Sequence, residues 1–210
     1  MYDLPHHKEE EYKEVIRFMK DHPFVFLTGS DSENKPVATQ IPVFIDERDG
    51  NYFLSGHIMR NTDHHKAFVQ NKNVLAVFTG PHTYVSATWY SKPVGSTWNY
   101  MSVHAHGVIR FGDTEELSSI LQRLTLYYEH NDTSSATVFD NLSEEYTTRM
   151  MKAIVPFEIE ITDLRHVFKL SQDRDEKSYD NIIQQLKQKD GDAKTIAAIM
   201  EKRKSKVFPS

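Results

Sequence analysis

Between Gly80 and Gly107 the chain reads GPHTYVSATWYSKPVGSTWNYMSVHAHG, two runs of β-forming residues joined by a Ser/Lys/Pro/Gly loop. Side-chain volume here comes from Trp89, Trp98, His104 and His106 with Tyr84, Tyr90 and Tyr100. Ordinary core strands take that volume from Val, Ile and Leu, which have no polar tips. Aromatic rings and imidazoles together can stack on a flat ring and hydrogen-bond its edge. His104 and His106, at i and i+2 of one strand, share a face. Such a pair suits a stacked organic cofactor, histidines hydrogen-bonded inside a barrel, or two ligands of a metal. For a metal, a third ligand would have to come from His57, His64 or His65, which sequence alone does not place, and neither HExxH spacing nor a thiolate is present.

The rest of the chain alternates short strands with a few helices. Glu9–Lys20 reads as a helix with Tyr12, Val15, Ile16 and Met19 on one face, ended by Pro23. Phe24–Thr28 and Val37–Asp46 read as strands, and Pro42 marks the second as an edge or a bulge. A turn at Asp46–Gly50 leads into Tyr52–Gly56, and Asn61–Asn71 reads as a helix capped by Asn61 or Thr62. Val74–Thr79, Thr83–Thr88 and Trp98–Phe111 follow as strands. Asp113 with Glu116 forms a capping-box pattern ahead of Leu117, Ile120, Leu121 and Leu124, and Ser143–Lys152 reads as a second helix. Phe157, Ile159 and Ile161 alternate with Glu158, Glu160 and Thr162, a half-buried strand, and Val167–Leu170 closes the sheet. Many strands with tight turns predict a mainly β fold with peripheral helices, a small antiparallel barrel and not a doubly wound sheet. Residues 1–172 are expected to form the barrel, with a helical insertion at about 113–152. Residues 173–210 are expected to add a helical hairpin, Tyr179–Lys189 and Ala193–Lys204, packed on it.

Composition narrows the function. The 210 residues carry a net charge of −5, which argues against a surface built mainly to neutralise nucleic-acid phosphates. There is no cysteine, which excludes disulfides, iron–sulfur clusters and thiol nucleophiles. The opening Met1–His7 lacks the pattern of a signal peptide and the apolar runs are too short to span a bilayer, so a cytoplasmic location is expected. Neither GxGxxG, GxxxxGK[ST] nor GxSxG occurs. Ser55–Thr62 ends a strand with Gly56 and places Arg60 and Asn61 at a helix start, an arrangement that suits either a phosphate or a plain capped helix. The tail is locally basic, and Lys202, Arg203 and Lys204 are its candidate DNA contacts. Its last helix, however, carries the apolar run Thr195–Met200 where a recognition helix presents polar side chains.

Several stretches together closely resemble the PaiB family, FMN-binding negative transcriptional regulators of bacteria. They are Met1-Tyr2 with Pro5-x-His7, Pro36–Pro42, Ser55-Gly56-His57 with Arg60-Asn61, Gly80–Ser86 and Trp89-Tyr90. Thr97–Tyr100 with Val103-His104 and Gly107, and Phe168–Gln172, complete the pattern. The resemblance implies an FMN-binding split barrel, a six-stranded antiparallel Greek-key barrel that forms a homodimer with flavin at the interface. It implies Thr39, Gln40 and Ile41 beside the ring system, Ser55, Gly56 and His57 along the ribityl chain, and Arg60 and Asn61 at the phosphate. Trp98, Asn99 and His104 would complete the pocket, with Lys169 nearby and no catalytic residue required. The function implied is repression at promoter DNA; the alternative is a flavin-dependent oxidoreductase or a haem-handling enzyme on the same barrel.

Overall fold

The computed structural model describes residues 1–2, 4–92 and 94–209; Asp3 and Pro93, which belong to stretches read above, and Ser210 lie outside the described residues. In chain order the elements are α1 (Tyr12–Asp21), β1 (Phe24–Ser30), β2 (Pro36–Pro42), β3 (Phe44–Arg48), β4 (Asn51–Met59), α2 (Asp63–Gln70), β5 (Asn73–Val85) and β6 (Thr97–Phe111). Then come α3 (Thr114–Tyr128), α4 (Glu144–Ala153), β7 (Ile154–Lys169), α5 (Glu176–Lys187) and α6 (Asp192–Val207). One sheet holds all seven strands in the order β2-β1-β5-β6-β7-β4-β3. The pairs β1–β2, β1–β5, β3–β4 and β4–β7 are antiparallel.

The seventh strand, one more than expected, arises at Pro42. A proline cannot donate to a ladder, so the run expected over Val37–Asp46 breaks there, and Val43 N donates instead to Pro23 O at 2.9 Å. The two fragments, β2 and β3, are joined by Val43 alone yet occupy opposite edges of the sheet. A flat sheet cannot satisfy both facts, so the sheet curls until its edges approach, the half-barrel of the expected class. Gly56 on β4 permits the approach: a Cβ there would lie 3.0 Å from Pro42 O and 2.9 Å from the Phe157 ring. The β3–β4 hairpin turns through Asp49 (φ 53°) and Gly50 (φ 78°), left-handed at both central positions as a two-residue turn requires.

By compactness the chain divides into two units, each made of discontinuous segments. One contains Pro23–Phe78 and His104–Leu164; the other contains Met1–His22, Thr79–Val103 and Arg165–Ser210. The strands β5, β6 and β7 are long enough to begin in one unit and end in the other. The first unit is cored by Val25, Leu27, Leu54, Phe68, Phe157 and Ile159. The second buries Met19, Val103, Phe168, Tyr179, Ile196 and Met200. No helix among the described residues is long and apolar enough to cross a membrane.

Candidate functional site

In the first unit, β4 carries three of the expected residues in three different settings. Ser55 stands opposite Phe44 and Glu158, beside a cavity of about 190 Å³ that α3 lines with Ser119 and Ile120. Its hydroxyl lies 3.5 Å from Asp46, whose carboxylate is gripped by Arg123 at 2.7 and 2.8 Å and held below its usual range by that bond. Gly56 faces inward, where its missing side chain makes room for Phe157 and Pro42. His57 is half-buried opposite Pro156, and burial lowers its pKa, so the ring is neutral at pH 7. Among the described residues nothing hydrogen-bonds its imidazole, which leaves a donor and an acceptor open.

On β2 the strand alternation separates the three expected neighbours. Ile41 pairs with Val25 and is buried in the core; Gln40 pairs with Phe26 on the exposed face; Thr39 is half-buried. His104 and His106 share the half-buried face of β6, as i and i+2 predict. Burial is the main cause that lowers the pKa of His104.

The turn from β4 into α2 is the most polar part of this unit. Arg60 N donates to Ala153 O at 2.8 Å, leaving the guanidinium exposed. Asn61 adopts φ 64°, a left-handed conformation that Asn tolerates well. Thr62 caps α2: its Oγ1 accepts from His65 N and donates to Met59 O at 3.1 Å. Asp63, whose carboxylate a phosphate would meet at this helix start, bonds His64 N at 2.7 Å and His64 Nδ1 at 3.0 Å. Burial is the main cause that lowers the pKa of His65, and the charges of Arg60 and Lys66 lower it further. Two permanent cations, Arg60 and Lys66, and one carboxylate, Asp63, belong to this turn. Lys66, exposed in the first turns of α2 and six positions beyond Arg60, was not among the expected residues. The residue types along this segment, an imidazole and two cations about a helix start, are of the kind that takes a phosphate ester, and the Asp63 carboxylate opposes one.

In the second unit, β6 splits Trp98 from Asn99. Trp98 is 53% exposed, with His82 and Tyr84 rings at 6.0 and 6.2 Å, above a cavity of about 370 Å³ that Gly80 and Tyr100 also line. Asn99 points the other way and is 0% exposed. Its amide is already used: Nδ2 donates to Met200 Sδ at 3.4 Å and Oδ1 accepts from Ser171 Oγ at 2.9 Å. Lys169 bonds Thr97 Oγ1 and stands 5.5 Å from the Tyr2 ring centre.

The cations proposed for DNA have different fates. Arg203 pairs with Glu9 at 2.5 Å, and Lys204 with Asp180 and Glu176 at 2.7 and 3.1 Å. Lys206 joins Glu9 at 2.6 Å, while Lys202 is exposed. Among the described residues no group of three or more His, Asp or Glu is placed to hold a metal.

Comparison with known proteins places this geometry. The family model described as "Putative FMN-binding domain" matches residues 1–163. "Protease synthase and sporulation protein PAI 2" of Bacillus subtilis is 32% identical over 208 residues, 98% of this chain and 99% of that protein. An uncharacterized protein of Emericella nidulans is 27% identical over 97% of each chain. Among solved structures, a conserved hypothetical protein of Mycobacterium tuberculosis aligns with TM-score 0.57 at 14% identity, over 80% of this chain and 91% of that one. The "FAD and Heme binding protein" of Mycobacterium smegmatis aligns with TM-score 0.52 at 12% identity, over 77% and 72%. At such identities the solved structures establish the fold, while the family model and the full-length relative establish descent: the chain belongs to the PaiB family of FMN-binding-domain proteins.

Proposed function

We propose that this chain is a PaiB-type regulator that binds FMN as a homodimer, and that its influence on transcription does not run through direct base reading by α6. The observation that supports the FMN reading is the β4–α2 turn, where exposed Arg60 precedes, and exposed Lys66 lies within, a helix capped by Thr62. FMN differs from riboflavin by one phosphate, so a site of this charge discriminates between them. His57, half-buried and with no hydrogen bond to its ring among the described residues, supplies a hydrogen-bonding group that burial keeps towards its neutral form, three residues before Arg60. Gln40 offers an exposed amide on β2, and Trp98 and His104 are the remaining aromatic and imidazole candidates. Asn99 is assigned a structural role in place of a cofactor contact, because both ends of its amide are bonded inside the protein. When bound, flavin would supply redox capacity or a conformational signal; the residues of the chain bind and orient it.

Support for a dimer comes from β1, whose outward Phe24 and Phe26 are 57% and 44% exposed. Phe26 stands between Gln40 and Val77 on its neighbouring strands. The indirect regulatory reading is supported by the pairing of Arg203 and Lys204 with carboxylates of their own unit.

Flavin fluorescence titration tests the central claim. FMN is expected to bind about tenfold or more tightly than riboflavin, the worth of a charge-assisted contact. Arg60→Ala combined with Lys66→Ala is expected to erase that preference. Equal binding of the two flavins by the wild type, or no binding of either, sinks the FMN reading; a haem spectrum in place of flavin binding moves the assignment to the haem-handling alternative. For DNA, Lys202→Ala is expected to leave any promoter complex at low salt unchanged, and a weakened complex would return α6 to direct contact.

A further inference from the structure

The cavity of about 370 Å³ beside Trp98 is formed by residues of β5 and β6 that all belong to the second unit. Trp98 and Tyr84 are large aromatic side chains left about half in water, at 53% and 46% exposure. Their ring centres are 6.2 Å apart and their planes meet at 69°, so they present electron-rich faces on two sides of one space. The His82 ring adds a third aromatic, 6.0 Å from Trp98 and tilted by 35°. Asp192, exposed in the first turn of α6, brings a carboxylate to this ring. Its Oδ2 accepts from His82 N at 3.1 Å and stands 3.4 Å from His82 Nδ1.

Charge and chemistry choose the ligand. Among the described residues no Lys or Arg lines the cavity, while the Asp192 carboxylate touches a residue that does. Ring faces and a carboxylate both attract positive charge, so the site favours a cation and opposes phosphates and nucleic acid. A primary ammonium carries three N–H donors, for which ring faces are poor substitutes for water. A quaternary ammonium carries none, and its methyl groups suit an aromatic wall. We propose that this cavity binds a free, small quaternary ammonium cation. Its methyl groups would lie against Trp98 and Tyr84, and its charge would be met by the ring faces and by Asp192. No bond is made or broken, and the site serves recognition. The FMN reading rests on the β4–α2 turn of the first unit, and Trp98 is the residue for which the two ligands would compete.

Isothermal titration calorimetry on the full chain tests this with choline and three comparators. These are the uncharged isostere of choline in which carbon replaces nitrogen, ethanolamine as its unmethylated counterpart, and a peptide bearing trimethyllysine. Choline is expected to bind with a Kd of about 1 mM or lower, and the isostere about tenfold more weakly, the worth of a cation held against ring faces. Ethanolamine is also expected to bind about tenfold more weakly than choline. Trp98→Ala is expected to abolish binding, and Asp192→Asn, which keeps the shape of the side chain, to weaken it about fivefold. An isostere or ethanolamine as tight as choline, no saturable binding up to about 50 mM, or choline binding unchanged by Trp98→Ala overturns the proposal. Tighter binding of the trimethyllysine peptide overturns it in favour of a modified protein as the occupant. Displacement of choline by FMN overturns it by giving Trp98 to the flavin. The ligand series uses the wild-type chain, so it stays decisive if a variant does not fold.

Discussion

Glu9 shows how much one side chain can hold. Its carboxylate is fully buried, and bonds from Lys206, Glu11 N and Arg203 outweigh the cost of burial and bring its pKa down to about 2 from an ordinary 4.5. A carboxylate with a lowered folded pKa contributes stability above pH 4.5 and loses it as pH falls towards 2. Its own N–H donates to His166 Nε2 at 2.8 Å, and burial lowers the pKa of that imidazole from 6.5. For a base the same direction means that its contribution is complete above pH 6.5 and declines as pH falls below it. Urea melts are expected to show wild-type stability falling first below pH 6.5 and again below 4.5. Glu9→Gln is expected to cost about 3 kcal/mol at neutral pH, since it leaves Arg203 and Lys206 without their buried partner, and the difference should shrink towards pH 2. Gly107 is a steric counterpart: a Cβ there would lie 2.4 Å from Glu160 O and 2.5 Å from Ile159 Cγ2. Because ladder backbone cannot yield, Gly107→Ala is expected to destabilise by about 2 kcal/mol in the same melts.

At the level of elements, caps are legible in the sequence and long-range pairing is not. The Asp113–Glu116 capping box forms as read, and Thr62, one of two candidates, is the cap of α2. Both signals act within four residues, so they are present in the sequence as neighbours. Thr62→Ala is expected to lower stability by about 1 kcal/mol and to weaken FMN binding with it, because the same hydroxyl ties the turn to Met59 O. Loss of stability with unchanged FMN affinity would detach the turn from the cofactor. Strand ends were harder. Gly80-Pro81 looked like an interruption between two strands, yet β5 runs through it from Asn73 to Val85. Gly80 is bare because α1 needs the space: a Cβ there would lie 2.5 Å from the Phe18 ring. The basic tail misled for a related reason, since the acids that pair with Arg203 and Lys206 come from the start of the chain, up to 197 residues away.

For the whole molecule the open question is assembly. Phe24 and Phe26 on β1 are large apolar side chains left in water, and a second copy would cover them. Sedimentation velocity is expected to give a dimer for the wild type and a monomer for the Phe24→Lys/Phe26→Lys double variant, with FMN affinity falling together with the dimer. A wild-type monomer at every concentration removes the interface from the proposal. What the amino-acid sequence determined by itself was the class of fold, the helices with their caps, and the family, because periodicity, capping and motif order are properties of nearby residues. The Gly80–Gly107 run also showed its β character and the shared face of His104 and His106. Tertiary structure alone decided that Asn99 is tied to Ser171 and Met200, and that the tail's cations answer Glu9, Glu176 and Asp180. Those outcomes depend on which distant groups share a buried space, and spacing along a chain carries no measure of that.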